Sequence, residues 1–400
     1  MKRIDNLYNR IVDIKEIQNI YNKRIKINTK NKLKLEKFEN NYVSNIIYIK
    51  NILKDKNYIP GRYNIFLVKE PKLRLVMSQN IIDKVINHMV SEYFLVDVFE
   101  NSFIEENIAT RKNKGTHYGI KLLKSYLNKT IQKNKNFYIL KFDISKYFFN
   151  LDHDIIKKII RTKIKDKDVL NILDNIIDST NQNYVNETIS KVKKKEIENV
   201  INNCNKDKLT EEIKNLPNYK NGKGLPIGNM SSQVIAILYL NELDHYIKEK
   251  LKIKYYIRYM DDGILIHESK EYLEYCLKEI KIILDKYKLE LNNKTKIINI
   301  KEGFEFLGFK YCIKNNKVIM KVKNQTKNRF KRKMKNLYKL FNNKKIEYKE
   351  LLQIKDSYLG HLNYGNTKKM IDKTLSIYKT KKNYVDTIKV EIVNSQIIYK

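Results

Sequence analysis

The sequence has 400 residues, 42% of them hydrophobic, and its 81 Lys and Arg residues outnumber 45 Asp and Glu residues, giving a net charge of +36. This length can bury a large core, and because no apolar run is long enough to span a bilayer and no signal peptide opens the chain, we expect no membrane partner. The charge favours a polyanionic partner, although part of the excess reflects a bias toward Lys, Asn and Ile.

The N-terminal quarter is predicted to combine helices with one hairpin. Residues 1–57 interleave charged and apolar positions without Pro or Gly, which is typical of helices. Residues 63–76 alternate as two strands around the turn Glu70-Pro71-Lys72, so the second strand carries Arg74. Residues 81–98 return to a helical pattern.

Apolar strands farther along the chain meet acidic residues at their ends. Residues 137–144 form a predicted buried strand that contains Asp143, and residues 254–258 and 262–267 flank a tight acidic turn. A Lys-, Glu- and Asn-rich stretch at about 186–222 is predicted to be an exposed insertion or a helical hairpin. The other predicted elements are polar helices over 153–220, helices over 229–250 and 270–289, a strand pair over 304–321 and lysine-rich helices over 323–375.

The acidic turn holds Asp261 and Asp262 between the apolar runs Tyr255–Met260 and Gly263–Ile266. Burying two adjacent carboxylates without a cation is costly, and their hard oxygen atoms suit magnesium. Two such ions can bind the attacking and leaving oxygens of a phosphoryl transfer. Turns also favour Asp for local reasons, so on the acids alone a purely structural turn remains the alternative.

Several segments stand in a fixed order around these acids. They are residues 66–76, 110–116, 142–148 (Phe-Asp-Ile-Ser-Lys-Tyr-Phe), 224–233 (Gly-Leu-Pro-Ile-Gly-Asn-Met-Ser-Ser-Gln), 258–263 (Arg-Tyr-Met-Asp-Asp-Gly), 289–297 and 304–309. Their order and spacing resemble the fingers, palm and primer-grip motifs of the reverse-transcriptase family, over about residues 58–310. The resemblance implies an RNA-directed DNA polymerase with an α+β right-hand fold.

In this fold, fingers, a palm with a small antiparallel sheet and a helical thumb follow one another. The implied domains are a helical N-terminal extension over 1–57, fingers over 58–140, a palm over 141–310 with a helical insertion at about 153–222, and a helical thumb or C-terminal region over 311–400.

For the acids, the resemblance implies a two-metal site. Asp143 and Asp261 would bridge two Mg²⁺ ions, for which Mn²⁺ is a substitute, and Asp262 would support the metals or the primer terminus. The Ile144 carbonyl is a further implied ligand. Lys294 would protonate the departing pyrophosphate, with an ordinary surface lysine as the alternative.

The resemblance also implies nucleotide-binding residues. Phe148 stands where the family has a bulky sugar gate that excludes a ribose 2′-hydroxyl, with core packing as the alternative. Arg74 and Arg111 would bind the incoming triphosphate, since the arginine fork matches phosphate oxygens, with a surface role as the alternative. Gly228 would let the backbone approach the template–nucleotide pair, and Gln233 would contact the template or the minor groove.

The C-terminal motifs imply how the duplex is held. Phe306, Leu307 and Gly308 match the primer grip, and the lysine-rich region after them fits a thumb that follows a duplex backbone. Its few acids have no nuclease-like arrangement, so we expect no ribonuclease H domain. Template RNA, primer, cDNA product and dNTPs are the implied partners.

The second palm motif indicates a subclass. Ile227–Gln233 and residues 357–362 resemble the reverse transcriptases of diversity-generating retroelements, which copy a template RNA with errors opposite adenine. Gly263 departs from that group, which often has an aromatic residue there. Related bacterial reverse transcriptases of anti-phage defence share many of these features and are the alternative. The retroelement interpretation implies a small basic RNA-binding accessory oligomer, and the alternative implies another defence component.

Two other functions stay open on the sequence alone. Palm acids also serve polymerases that make RNA or add untemplated nucleotides, and a catalytically dead RNA-binding scaffold would keep the positive charge. The three cysteines have neither zinc-ligand nor redox spacing, which favours a reduced compartment. We therefore expect a cytoplasmic protein, encoded by a bacterium or a phage.

Overall fold

The fold was analysed in a computed structural model that describes residues 3–70, 72–200, 206–315, 317–379, 392–393 and 396–397. The chain divides into two compact units, which are taken separately below. The first unit contains Met1–Gly119 and Tyr138–Ile297, and the second contains Ile120–Phe137 and Ile298–Lys400.

The N-terminal helices belong to the main core of the first unit. The helices are α1 (Ile14–Ile20), α2 (Lys32–Glu39), α3 (Tyr42–Lys54), α4 (Ile81–Val90) and the short α5 (Asp97–Phe99). Ile46, Ile49 and Leu53 of α3 lie on one face and are buried in the same core as Val85 and Met89 of α4. The predicted helices are confirmed, and they pack into the first unit.

The predicted hairpin is confirmed for the residues that the structure describes. Its strands are β1 (Asn64–Val68) and β2 (Arg74–Ser78), which pair antiparallel with Ile65 opposite Met77 and Val68 opposite Arg74. Pro71 of the predicted turn lies outside the described residues. The pairing places Arg74 at the start of β2, next to the turn.

Four strands form the palm sheet, and its register brings the acids to one edge. The strands are β3 (Tyr138–Phe142), β4 (Tyr255–Tyr259), β5 (Asp262–His267) and β6 (Lys296–Asn299), in the order β4-β5-β3-β6. Both β3 and β4 pair antiparallel with β5, with Phe142 opposite Gly263 and Tyr259 opposite Asp262. Asp143 therefore leaves its strand beside the turn of the Asp261-Asp262 hairpin.

The glycine at residue 263, where the retroelement reverse transcriptases often have an aromatic residue, is explained by a close contact within this sheet. A Cβ atom at residue 263 would lie 2.1 Å from the ring of Phe142 on the paired strand. The Phe142 ring is buried and fills the space that a side chain at residue 263 would need. The Phe142 ring of β3 thus covers residue 263 of β5, and only glycine fits at that position.

The segment between β3 and β4 is helical, as predicted. Its helices are α7 (Tyr147–Asn150), α8 (His153–Arg161), α9 (Lys167–Ile177), α10 (Asn183–Glu198), α11 (Lys206–Lys214), α12 (Met230–Tyr239) and α13 (Asn241–His245), and α14 (Lys270–Lys286) follows β5. The prediction of an exposed insertion at about 186–222 is corrected for α10. Val185 and Ile189, one turn apart, are fully buried against the β1–β2 hairpin. Residues 201–205 lie outside the described residues.

The second unit begins with most of α6 (Thr116–Lys133) and then holds a small meander and three helices. The meander is β7 (Phe304–Phe306), β8 (Phe309–Lys314) and β9 (Lys317–Val322), paired in that order, and the helices are α15 (Asn324–Asn342), α16 (Tyr348–Leu362) and α17 (Lys368–Lys379). A short antiparallel pair, β10 (Ile392–Val393) and β11 (Gln396–Ile397), follows. Phe330, Met334 and Leu337 form the buried face of α15.

The α+β class with small antiparallel sheets is confirmed. The unit boundaries differ from the implied domains, since residues 120–137 and 298–310 fall in the second unit and not in the fingers and palm. Of the implied thumb, residues 316, 380–391, 394–395 and 398–400 lie outside the described residues. In the part of the chain that is described, no helix is both long and apolar enough to cross a bilayer.

A fully buried ion pair joins the palm sheet to the helix behind it. Arg258 and Asp244 have no exposed side-chain area, and their closest nitrogen and oxygen atoms are 2.6 Å apart. The Arg258 guanidinium also donates to the backbone carbonyls of Met260 (2.7 Å) and Ile237 (2.8 Å). The Tyr256 hydroxyl donates to the other Asp244 oxygen at 2.8 Å. The pair is therefore fully bonded, which buried charges require.

We expect Asp244→Leu to lower the free energy of unfolding by about 3–5 kcal/mol, because it leaves the Arg258 charge buried without its carboxylate. The double variant Asp244→Leu/Arg258→Met removes both charges and should be the more stable of the two variants. Urea unfolding measures both.

The matched control is Glu274→Gln, which breaks the half-exposed Lys270–Glu274 pair (3.4 Å). It should change the free energy by less than about 1 kcal/mol. An Asp244→Leu variant no less stable than this control would contradict the structural importance of the buried pair.

Candidate active site

Three carboxylates lie at one edge of the palm sheet. Asp143 follows β3, Asp261 lies in the β4–β5 turn and Asp262 begins β5. The preceding residue of the turn, Met260, has a left-handed backbone with φ of +56°, and its carbonyl is held by Arg258. The structure therefore brings together the three acids that the sequence predicted.

The Asp261 carboxyl is in an environment that disfavours its charge. Burial raises the pKa of Asp261 to about 6, and the neighbouring charges of Asp262 and Asp143 add to this increase. The positive charge of Lys72 acts in the opposite direction. A second lysine, Lys141, has its Nζ 3.8 Å from an Asp262 oxygen.

Lys72 is a site residue that the sequence analysis missed. It is exposed beside the hairpin turn, two residues before Arg74, and its charge reaches Asp261. Its place in the Glu70-Pro71-Lys72 turn was the available signal, but lysine is so common in this chain that one more carried little weight.

The donor atoms at this edge fit divalent cations. The mutual repulsion of the carboxylates and the burial of Asp261 are both relieved when a cation with hard oxygen ligands binds. Within the described residues, no group of three or more His, Cys, Asp and Glu side chains is already gathered around one metal position. Asp143 and Asp261 are thus candidate metal ligands. The other ligands of each metal would include backbone carbonyls, water or substrate oxygens.

The Ile144 carbonyl is a candidate for such an atom. The chain after Asp143 runs beside residues 290–292, where the Ser145 N–H donates to the Glu290 carbonyl (2.8 Å) and the Asn292 N–H donates to the Asp143 carbonyl (2.7 Å). These bonds flank Ile144 and leave its carbonyl outside the pairing. The Ile144 side chain itself is buried and anchors the turn.

Lys294 stands on the same loop. The Thr295 hydroxyl oxygen accepts a hydrogen bond from the Asp143 N–H at 3.2 Å, and the Lys294 N–H donates to the Asn292 side chain at 3.1 Å. The Lys294 side chain is exposed. The loop thus brings Lys294 close to the acids in space, although it lies about 150 residues from Asp143 in sequence.

Phe148 is distinguished from its aromatic neighbours by its exposure. Tyr147 is buried and donates a hydrogen bond to the Ala236 carbonyl, and Phe149 is buried with its ring 4.7 Å from that of Tyr219. Phe148 is only partly buried. Of the three consecutive aromatic residues, Phe148 is therefore the one whose ring remains accessible to a ligand.

The second palm motif is attached to the β1–β2 hairpin. The Met77 N–H donates to the Ile227 carbonyl at 2.9 Å. Gly228 has φ of +137°, and a Cβ atom there would lie 2.6 Å from the Met77 carbonyl oxygen. Only glycine allows this approach, so Gly228 serves first to dock the motif on the hairpin.

The helix of this motif is fixed by polar contacts to α4. The Asn87 side chain donates to the Ser231 hydroxyl (2.8 Å) and accepts from the Ser231 N–H (3.1 Å). Ser231 and Ser232 are buried, whereas Gln233 keeps part of its side chain exposed. Gln233 is therefore available for a ligand, and Ser231 has a structural role.

The two predicted phosphate-binding arginines differ. Arg74 is exposed at the start of β2. The Arg111 side chain is only 7% exposed; its Nε donates to Glu100 (2.9 Å) and its Nη1 to the carbonyls of Ile104 (2.6 Å) and Asn107 (2.8 Å). Only Nη2 remains to reach a triphosphate, so the geometry gives Arg111 a role in holding the loop over 100–107.

The predicted primer grip lies in the second unit. Phe306 is buried at the end of β7, and Leu307 and Gly308 form the turn into β8 with φ of +48° and +86°. A Cβ atom on Gly308 would lie 3.2 Å from the His361 ring, whose centre is 4.6 Å from that of Phe309. The structure thus joins the primer-grip turn to the 357–362 segment, which the sequence analysis treated separately.

The raised pKa of Asp261 predicts a pH-dependent stability of the metal-free protein. The folded state favours the protonated Asp261 carboxyl. The stability that this proton contributes to the folded state is therefore fully present below pH 4 and is lost as pH rises through about 6. Asp261→Asn should therefore stabilise the chelator-treated protein at pH 7, by at most ~3 kcal/mol.

Urea unfolding between pH 4 and pH 7 tests this, with the exposed Asp285→Asn as the control. The gain from Asp261→Asn should shrink toward pH 4. A gain that is absent at pH 7, or that does not change with pH, would contradict the assignment.

Comparison with known proteins identifies the family to which the chain belongs. The model of the reverse transcriptase (RNA-dependent DNA polymerase) family matches residues 68–311. The putative COX1/OXI3 intron 2 protein of Saccharomyces cerevisiae is 25% identical over 297 residues, which are 66% of this chain and 34% of that protein. The chain thus spans about one third of the length of this relative.

Among solved structures, apo telomerase from Candida tropicalis, truncated from the C-terminal domain, aligns with a TM-score of 0.42 and 14% identity, covering 69% of this chain and 60% of that one. The family match covers more than half of the chain and includes both acid-bearing strands. The chain is a member of the reverse transcriptase family of RNA-dependent DNA polymerases.

Proposed function

We propose that this reverse transcriptase makes cDNA by two-metal nucleotidyl transfer at the carboxylate edge of the palm sheet. The register of β3 against β5 carries the proposal, because it sets Asp143 beside the Asp261-Asp262 turn from a position more than a hundred residues away. Asp143 and Asp261 would hold the metals together with the Ile144 carbonyl, and Asp262 would support them.

In the proposed reaction, the primer 3′-hydroxyl would lose its proton to solvent, and its oxygen would form a bond to the α-phosphorus of a dNTP while the bond from that phosphorus to pyrophosphate breaks. Bound Mg²⁺, or Mn²⁺ in its place, would lower the pKa of the attacking hydroxyl and neutralise the phosphate charge. Lys72 and Arg74 on the hairpin would bind the phosphates, and the Lys294 ammonium would give a proton to the departing pyrophosphate. RNA template, primer and dNTPs are therefore the substrates.

Primer extension on an RNA template with dNTPs and Mg²⁺ tests the site. We expect Asp261→Ala and Asp143→Ala each to reduce extension by at least about a hundredfold, as the loss of a principal electrostatic contact to the transition state does. Asp285→Ala, an exposed acid on α14, is the control and should leave extension unchanged. Equal extension by wild type and Asp261→Ala would refute the proposed site.

Phe148 is expected to select the sugar. Phe148→Val opens space beneath the 2′ position and should raise the ratio of ribonucleotide to deoxyribonucleotide kcat/KM by about 10- to 200-fold. Tyr147→Phe, which removes only a buried hydroxyl, should leave this ratio unchanged. A wild-type enzyme that already prefers ribonucleotides would contradict cDNA synthesis and favour an RNA-making polymerase.

For the biological role, we propose a diversity-generating retroelement in the cytoplasm of a bacterium, encoded by the bacterium or by a phage. The resemblance of Ile227–Gln233 and of residues 357–362 to that subclass supports this role. It would include a small basic accessory protein that binds the template RNA. Anti-phage defence, with untemplated or unusual-template synthesis, is the competing role.

Sequencing the cDNA from the primer-extension reactions separates these roles. Substitutions concentrated opposite template adenines would support the retroelement. Untemplated products, or errors without base preference, would favour defence. In the neighbouring DNA, a template repeat that matches a variable repeat in a target gene would support the retroelement independently.

A further inference from the structure

The β1–β2 hairpin packs on α10, the helix that the sequence predicted to be solvated. Ile65 and Met77, on the inner face of the hairpin, form a small core with Val185 and Ile189 of α10. This cluster is separate from the main core of the unit. Because a two-stranded hairpin is barely stable by itself, this contact with α10 supports it.

Polar bonds attach α10 near the base of the hairpin. The Tyr184 hydroxyl accepts a hydrogen bond from the Tyr63 N–H at 3.0 Å. The Tyr63 hydroxyl lies 3.1 Å from the Ser179 hydroxyl and accepts from the Asn229 side chain at 2.9 Å. Tyr63 is buried, and Asn229 follows Gly228 in the second palm motif. Tyr63, at the base of the hairpin, therefore contacts both α10 and the second palm motif.

A second attachment lies near the other end of the hairpin. The Lys69 Nζ is 2.7 Å from a Glu196 oxygen, and their side chains are 43% and 27% exposed. Lys69 directly follows β1, and Glu196 lies three helical turns beyond Val185. The hairpin is thus fastened to α10 along its length, with Lys72 and Arg74 just past the Lys69 contact.

The helix is also held by hydrogen bonds to the segment 216–219. The Asn186 side chain donates to the Tyr219 carbonyl (2.9 Å) and accepts from the Tyr219 N–H (3.0 Å). The Lys193 ammonium donates to the Leu216 carbonyl (2.6 Å) and to the Asn218 side chain (2.9 Å). The segment 216–219 therefore fixes α10 beside the hairpin, and its Tyr219 belongs to the same small core as Ile65 and Met77.

We propose that α10, fixed by segment 216–219, is a positioning element that holds the β1–β2 hairpin and thereby sets the affinity for the incoming nucleotide. The inference rests on the proposed function, because Lys72 and Arg74 matter only if they bind a triphosphate. Glu196 and Tyr184 bind Lys69 and Tyr63 at the two ends of β1, so their effect on the nucleotide would act through the hairpin. A loosened hairpin would bind dNTP more weakly, while the Asp143–Asp261 site would turn over bound nucleotide unchanged.

Hydrogen–deuterium exchange tests the holding role without any need for catalysis. Glu196→Gln should accelerate exchange in peptides that cover residues 64–78, and adding Tyr184→Phe should accelerate it further. Glu187→Gln, at an exposed position on the same helix, is the matched control and should not. The charge-reversed pair Lys69→Glu/Glu196→Lys should restore slow exchange.

Steady-state kinetics test the consequence for the nucleotide. Glu196→Gln should raise the KM for dNTP about two- to fivefold, the size expected for a partly exposed ion pair, with kcat changed less than about twofold. The charge-reversed pair should recover most of this loss, which a general destabilisation would not allow.

The outcomes separate the two proposals. Unchanged exchange and unchanged KM in Glu196→Gln, or equal changes in Glu187→Gln, overturn the positioning role. Wild-type protein that incorporates no nucleotide overturns the proposed function, and the exchange measurement then decides by itself whether α10 holds the hairpin. Faster exchange with an unchanged KM overturns the link between the hairpin and nucleotide affinity.

Discussion

The buried ion pair between Arg258 and Asp244 is the constraint on which the active site depends. Its guanidinium reaches the carbonyl of Met260 in the acidic turn and that of Ile237 in α12, so one side chain ties the acidic turn to the helix of the second palm motif. The backbone of Arg258 also pairs with the loop at Asn107. A charge in this position is tolerated only with all these acceptors present, so the surrounding elements have little freedom to shift.

The acids lie in a setting that is unlike the rest of the molecule. The chain carries a net charge of +36, yet at the palm edge three carboxylates crowd together, and Asp261 is mostly buried. Lys141 lies near Asp262, and the charge of Lys72 acts on Asp261, but the pKa of Asp261 is still raised. A strongly positive chain favours polyanionic partners, whereas a crowded group of carboxylates favours cations, so under the proposed function the two preferences serve different substrates at one edge.

The sequence was informative where one strong local pattern decided the structure. Alternating apolar residues that end at Asp143 and Asp261 predicted the strands and the meeting of the acids, because a strand must bury its apolar face. It was uninformative where the folded chain supplies the partners. Arg111 resembled a phosphate ligand by its motif position, whereas its acceptors, the Glu100 carboxylate and the carbonyls of Ile104 and Asn107, are set by the folding of one loop. The polar α10 looked solvated because two residues, Val185 and Ile189, are enough to bury one face.

The packing of the Phe142 ring over Gly263 has an evolutionary consequence. Residues 142 and 263 are distant in sequence, but their side chains share one space between β3 and β5. In this chain the Phe142 ring fills all of that space. A larger residue at 263 is accessible only to a chain in which residue 142 becomes smaller. The two positions should therefore covary among relatives, and a glycine after the paired acids marks a different division of the same space between two strands.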